Sequence, residues 1–406
     1  MYTPDRERAL ALDADDPLAA FAERFVAPPP GTIYLDGNSL GQLPLATRDA
    51  LRHAIDHEWG ARLIRAWDEG WMELPFTTGD LLGSELLGAA PGQTVLADST
   101  TVCFYKLASA ALAARPGRRR ILTDTANFPT DRYVLEGLAR EHDLTIDWLT
   151  TDPDGGPEPD AAQALITDDT ALVTFSHVAY RSAHVADLPA ITALAHAHAR
   201  GALVLWDLSH SAGALPVGLD AAGVDLATGC TYKYLNGGPG APAFMYVNHR
   251  LQGEVGQPIW GWLGRRDPFA MAPGYERAAG IAQMLSGTPP VLGLTAARAG
   301  IGLSAEATID AIRAKSTRLT ELAIALADAE LAAHGVTVGS PRDPARRGGH
   351  VSLVHPEARA LCTRLIADGV IVDFREPDVI RLGLSPLTTR FVDVADGIDR
   401  LRGLLA

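Results

Sequence analysis

The stretch "GALVLWDLSHSAGALPVGLDAAGVDLATGCTYK" (Gly201–Lys233) decides the fold. It opens with an apolar run that stops at Asp207, and its last segment, "DLATGCTYK", turns polar at Lys233. A short strand that is apolar along its whole length is buried on both faces, as in a parallel sheet covered by helices. The pattern continues upstream. "QTVLADST" reads as a short strand ending in polar residues, "TVCFYKLASAALAA" as an Ala-rich helix, "RRILTD" as a strand and "DRYVLEGLAREHD" as a helix. "TIDWLT" and "ALVTFSHV" are further strands, and "LPAITALAHAHAR" is an amphipathic helix. Short apolar strands alternating with helices predict an α/β fold with a mostly parallel sheet and helices on both faces.

The two ends of the chain read differently. "VAPPPGTIYLDGNSLGQLP" (Val26–Pro44) is punctuated by Pro and Gly and reads as an extended arm, after which "LATRDALRHAIDHEW" has helical spacing. Toward the C-terminus, "LTELAIALADAELAAHG" is a long helix, and "HVSLVHP", "VIVDFREP" and "VIRLGLSP" are strands flanking the helix "EARALCTRLIADG". The expected organisation is an N-terminal arm over 1–44, a large domain over 45–289 and a smaller α+β domain over 290–406, with the arm packed on the small domain.

Composition narrows the function classes. The 406 residues are 47% hydrophobic and 21% charged, ordinary for a folded chain with a large core. A net charge of −14 argues against a nucleic-acid partner, which needs a basic face. The densest basic cluster, "RPGRRR" (Arg115–Arg120), reads as a solvated turn. Three scattered cysteines (Cys103, Cys230, Cys362) with no CxxC pair suit a reducing compartment. No apolar run reaches the ~20 residues that span a bilayer, and the charged N-terminus lacks a secretory core. The expectation is a cytoplasmic protein with no membrane partner.

In doubly wound sheets, ligands bind beyond the carboxyl ends of the strands. The polar residues falling there are Ser99–Thr101, Asp124–Asp131, Ser176–Ser182, Asp207–His210 and Thr231–Lys233. Ser and Thr ahead of the Ala-rich helix are good N-caps, and the same helix end suits a phosphate. Asp207, after an apolar strand, needs either a cationic partner or a capping role. Lys233 is either a surface lysine or one held in a partly apolar pocket, where a lowered pKa favours a Schiff base with a carbonyl. Taken jointly, Asp207 and Lys233 end successive strands 233 − 207 = 26 residues apart, downstream of a candidate phosphate site. That combination is the electron-sink arrangement of enzymes that use pyridoxal 5′-phosphate: lysine for the aldehyde, aspartate for the ring nitrogen, helix end for the phosphate.

Other signals are weaker. "GGPGAP" lacks the GxGxxG spacing and a following helix, which disfavours a nucleotide-binding oxidoreductase. There is no HExxH, and His196 and His198, two apart on a helix, do not share a face, so no metal site is expected.

The motifs "YLDGNSLG", "LIRAWDEGWMELP", "ANFPTDRY", "WDLSHSAGALPV", "CTYKYLNGGPG" and "GWLG", in order between Ile33 and Leu387, resemble those of the kynureninases, especially the bacterial ones. The resemblance implies the fold of the aspartate aminotransferase group, a homodimer with shared active sites, a small-molecule amino-acid substrate, and hydrolysis of L-kynurenine to anthranilate and L-alanine. By the same resemblance, Lys233 carries the cofactor and moves protons, Asp207 pairs with the pyridine nitrogen with Asp131 nearby, and Phe128 stacks on the ring. His210 and Ser182 lie near its polar edge, and Thr100, Thr101 and Tyr232 hold the phosphate. Trp262 and Thr288 reach the phosphate from the partner subunit, and Arg381 holds the substrate α-carboxylate. Tyr232 is also a candidate acid for Cβ, a role that calls for a depressed phenol pKa.

Departures from the family pattern are Leu263 for an aromatic residue, Arg265 for a histidine, and Thr388 where a tyrosine is common. If these line the aryl pocket, a 3-hydroxylated or otherwise substituted kynurenine becomes the expected substrate. The alternatives are another lyase or aminotransferase of the same fold group, such as a cysteine desulfurase, and a non-catalytic protein that binds the cofactor. A desulfurase needs a mobile, exposed cysteine, and Cys362 sits in a regular helical pattern.

Overall fold

The computed structural model describes residues 6–198 and 201–406, without the side chain of His198. The first five residues of the arm and the side chain of His198, the second member of the His196/His198 pair, therefore lie outside what is described. In chain order the strands are β1 (Ile33–Tyr34), β2 (Thr94–Ala97), β3 (Arg120–Asp124), β4 (Thr145–Leu149), β5 (Thr170–Ser176), β6 (Leu203–Asp207), β7 (Leu226–Gly229), β8 (Ala243–Val247), β9 (Thr337–Val338), β10 (His350–Val354), β11 (Val370–Ile371), β12 (Asp373–Arg375) and β13 (Val379–Gly383).

Seven of these form the central sheet in the order β2-β8-β7-β6-β5-β3-β4. The pairs among β4, β3, β5, β6 and β7 are parallel, whereas β8 runs antiparallel to both β7 and β2. The fold is thus the expected α/β fold with a mostly parallel sheet, and helices cover it. β5, β6 and β7 are buried at every position, which accounts for their largely apolar sequence. Trp206 illustrates the packing: it is fully buried, and its indole N–H donates to Thr192 Oγ1 at 3.1 Å.

A separate antiparallel sheet, in the order β12-β13-β10-β9, lies in the C-terminal part. The arm reaches it, since β1 pairs in parallel with β11 (Ile33↔Val370) and Asp36 bridges to Gly383 at the end of β13. The segment "VIVDFREP", expected as one strand, is divided between these two sheets. The helix Val291–Ala307, although it follows Pro290, buries Leu294, Ala297 and Ile301 in the core of the central sheet. The helix expected from Leu45 to Trp59 is α-helical over Leu45–His53 and widens into a π-helical stretch over Ala54–Arg62. Among the described residues, no helix is long and apolar enough to cross a membrane.

Candidate active site

Parallel strands deliver their last residues to one rim, and this sheet does so. Asp207 is the last residue of β6, and its Oδ1 accepts the backbone N–H of Ser209 at 2.7 Å. β7 stops at Gly229, so Lys233 sits in the turn beyond the strand and not on its last residue. Both line a cavity of about 490 Å³, together with Thr100 and Thr101 at the start of the helix Thr100–Ala113. Phe128, Asp131, His210 and Tyr232 are the other expected residues in its wall, and Thr288, expected to come from the partner subunit, lines this cavity of its own chain. Lys233 Nζ lies 5.8 Å from the ring centre of Phe128 and 5.9 Å from that of Tyr232, so its ammonium end is flanked by aromatic surface. Tyr180 also lines the cavity, its ring edge-on to Phe128 at 5.4 Å.

Burial sets the electrostatics of the cavity. Asp131 is 2% exposed, and burial, followed by the charge and hydrogen bond of Asp207, holds its carboxyl well above the usual range. Asp131 Oδ2 has no hydrogen-bond partner in the protein. His210 is buried, and burial, then Lys233 and His350, push its imidazole well below the usual value, so it is neutral. His210 Nδ1 is likewise without a partner. The Tyr232 phenol is raised, by burial first and then by Cys230 and Asp207, against the expected depression. It therefore keeps its proton through the neutral range and can donate it.

These features fit pyridoxal 5′-phosphate. A protonated pyridine nitrogen would give the Asp131–Asp207 pair, whose Asp131 Oδ2 is unpartnered, a cationic donor. The first turn of the helix Thr100–Ala113 receives no side-chain cap from Ser99, which leaves its N–H groups for a phosphate. Lys233 would hold the aldehyde.

Three expected residues do not line this cavity. Ser182 is fully buried away from it, and its hydroxyl donates to the Gly155 carbonyl at 2.6 Å while accepting the His184 N–H at 3.1 Å. It staples two loops, a role that corrects the expected place at the ring's polar edge. Trp262 packs edge-on against Phe269 at 5.7 Å on the outer face of its own chain. Arg381, 1% exposed, lies behind the wall. Its Nε donates to Asp373 Oδ1 at 2.7 Å, its Nη1 to the Tyr180 carbonyl at 2.6 Å, and its Nη2 to Asp373 Oδ2 and to Ser39 Oγ at 3.2 Å. Asp373 and Ser39 were not singled out in the sequence. Their signal is faint, because Ser39 belongs to the "YLDGNSLG" arm, which joins Arg381 only when Asp36 meets the end of β13.

Of the departures from the family pattern, Leu263 is buried in an apolar cluster with Ile281 and Met284. Arg265 donates to the carbonyls of Asp267 (2.5 Å) and Gly274 (3.3 Å). Neither lines the Lys233 cavity of its own chain. Thr388 is half-buried, and its hydroxyl has no partner. Cys362 is buried, its thiol pushed up to about 11 by burial and by Asp373, unlike a mobile nucleophile.

Fold and site together define a pyridoxal-phosphate enzyme of the aspartate aminotransferase fold group. Solved structures with the same fold include the cysteine desulfurase of Thermococcus onnurineus NA1 (TM-score 0.79, 17% identity, 92% of this chain and 94% of that one). Another is the cystine C-S lyase C-DES in complex with cysteine persulfide (TM-score 0.79, 19% identity, 92% and 98%). At such identities the likeness extends to the fold alone. Sequence relatives are much nearer. The chain is 44% identical to the kynureninase of Burkholderia pseudomallei (strain K96243) and 45% identical to that of Pseudomonas fluorescens. Each match runs over 405 residues, 98% of this chain and 95% of the relative. Residues 312–401 match the kynureninase C-terminal domain family. The chain belongs to the kynureninase family, and its cofactor is pyridoxal 5′-phosphate.

Proposed function

We propose that the chain hydrolyses L-kynurenine, or a ring-substituted kynurenine such as 3-hydroxykynurenine, to the corresponding anthranilate and L-alanine. The observation that carries this reading is the meeting of Lys233, Asp131, Asp207 and the Thr100–Thr101 turn around one cavity in a chain of this family. Bound pyridoxal phosphate supplies an electron sink at the substrate Cα, which lets the Cβ–Cγ bond break once water has added to the side-chain ketone. Lys233 moves the proton at Cα from between the rings of Phe128 and Tyr232. Asp207, beside the Asp131 carboxyl that burial holds well above its usual range, keeps a pyridine nitrogen protonated. Tyr232, with its raised phenol pKa, donates toward Cβ. Phe128 and Tyr180 wall the cavity with aromatic surface beside Lys233. Arg381, held to the Tyr180 carbonyl behind the cavity wall, is the guanidinium we assign to the α-carboxylate.

The remaining assignments belong to the same reading. Trp59, Leu63, Ile64, Trp260, Phe269 and Met271 are each more than half exposed, an apolar surface that a second copy of the chain would cover. That arrangement would bring Trp262 to the partner's site, whereas Thr288 would serve its own. The cofactor domain begins near residue 45 and carries the helix Val291–Ala307 with it, the rest of the C-terminal part forming the small domain. Three free, buried thiols accord with a cytoplasmic setting.

A product assay tests the reading. Purified protein is expected to absorb at roughly 420 nm and to release a fluorescent anthranilate from kynurenine or 3-hydroxykynurenine, both properties vanishing in Lys233→Ala. Protein that binds no pyridoxal phosphate ends the proposal. Equal or better turnover of unsubstituted kynurenine across a substrate panel removes the substituted-ring preference.

A further inference from the structure

The phosphate end of the cavity has an unusual support. In "LADSTTVCFYKLAS" (Leu96–Ser109), Lys106 interrupts an otherwise apolar helix face. It is 0% exposed, as are its helix neighbours Cys103, Phe104 and Leu107. A lysine is buried at a large desolvation cost unless its charge is paired and its donors are used. Nζ donates to Asp98 Oδ2 at 2.6 Å and to the Met284 carbonyl at 3.0 Å.

One partner belongs to the cavity wall and the other is buried behind it. Asp98 lines the cavity beside Ser99, Thr100 and Thr101. It holds a left-handed backbone (φ 47°), uncommon for a residue with a side chain, and its carbonyl accepts the Ala243 N–H at 3.0 Å. This turn sets the direction in which the helix Thr100–Ala113 starts, and hence where its uncapped N–H groups point. Met284 stands four residues before Thr288, which lines the same end of the cavity. Lys106 therefore ties the Asp98 wall turn to the buried start of the segment that leads to Thr288, far away in sequence. It also neutralises the Asp98 carboxylate, which would otherwise face an incoming phosphate as a like charge.

We propose that Lys106 is a positioning residue for the phosphate cup: it fixes the Asp98 turn against the Met284–Thr288 segment and screens Asp98 from the cofactor phosphate. The inference rests on the reading that the Thr100–Thr101 turn receives that phosphate. It predicts a defect confined to ligands that carry a phosphate.

The test compares pyridoxal 5′-phosphate with pyridoxal, which has the same ring and aldehyde without the phosphate. Apoprotein is titrated with each, following the visible absorption band. Lys106→Met keeps the length of the side chain and removes its charge. It is expected to bind pyridoxal phosphate about tenfold to a hundredfold more weakly, the scale of one charge-assisted hydrogen bond, with pyridoxal changed less than about twofold. Equal weakening of both ligands would make Lys106 a packing residue and overturn the proposal, as would no change in either. Should Lys106→Met fail to fold, the double variant Lys106→Met/Asp98→Asn, which removes the like charge together with its screen, is expected to show the same selective loss at smaller size, and an unaltered ratio of the two affinities there overturns it. Thr101→Val reads the cup itself. Loss of phosphate preference in Thr101→Val but not in Lys106→Met removes the strut and leaves the cup standing, whereas a wild-type protein with no preference for the phosphorylated ligand removes the cup as well.

Discussion

Asparagine in place of Asp373 is expected to destabilise the protein while tightening its grip on a substrate carboxylate. Arg381 has five N–H donors, and four are engaged, two by Asp373 and one each by Tyr180 and Ser39. One donor, on Nη1, is left for an incoming carboxylate. Burial raises the Asp373 carboxyl, but the hydrogen bond and charge of Arg381, with Arg375 and Ser39, outweigh it and hold the group below its usual pKa. Asp373 is therefore the ionised counter-ion of a guanidinium that is 1% exposed. Arg375 shares it, its Nη2 donating to Oδ2 at 2.6 Å. Removing that charge leaves a buried cation unpaired, a loss of about 3 kcal/mol at the lower end of such cases, because asparagine retains one acceptor. The freed donors then become available to the substrate. One more charge-assisted bond corresponds to about 1.5 kcal/mol or more, or about a tenfold lower KM. The assay pairs urea melts with steady-state kinetics on kynurenine and on its α-amide, which lacks the carboxylate. Opposite movements of stability and KM, with the amide KM unchanged, support the assignment of Arg381. Unchanged stability, or equal effects on acid and amide, refutes it.

Three further outcomes follow from the same geometry. Burial and then Asp373 push Asp36 from 3.8 to about 6; a carboxyl raised on folding binds more protons in the folded chain, so stability should fall by about 2–3 kcal/mol as pH rises from about 4 to about 6. Asp36→Asn should flatten that portion of a pH–stability curve, and an unaltered curve would remove Asp36 as its source. A Cβ at Gly41 would lie 2.4 Å from the Lys233 carbonyl and 2.4 Å from Asn236 Oδ1, so Gly41→Ala should cost about 1–3 kcal/mol and lower kcat by displacing the lysine turn, with wild-type melting and kcat as the contrary result. Ile64→Asp places a charge on the exposed apolar surface and should weaken self-association by at least about tenfold in sedimentation; an undiminished dimer would locate the interface elsewhere.

Most of the central sheet was legible in the residues, because strands buried on both faces are largely apolar and the change to polar residues then marks their carboxyl ends. Asp207 and Lys233 were legible for that reason: local chemistry and strand order suffice to bring them to one rim. β8 carries the same apolar signature, yet its antiparallel direction is set by pairing with both β7 and β2. The N-terminal turn at Thr100 and Thr101 was legible too, but not the support beneath it. Lys106 read as one residue of an Ala-rich helix until the fold placed the Met284 carbonyl, 178 residues away, against its ammonium group. Ser182 and Arg381 show the same limit. Each side chain's identity is written locally, but its hydrogen-bond partner arrives from a distant segment, Gly155 for one, Asp373 and Ser39 for the other. A buried polar group takes whichever partner the packing supplies, since leaving it unpaired costs more than the bond itself is worth. Its role is therefore decided by the tertiary structure.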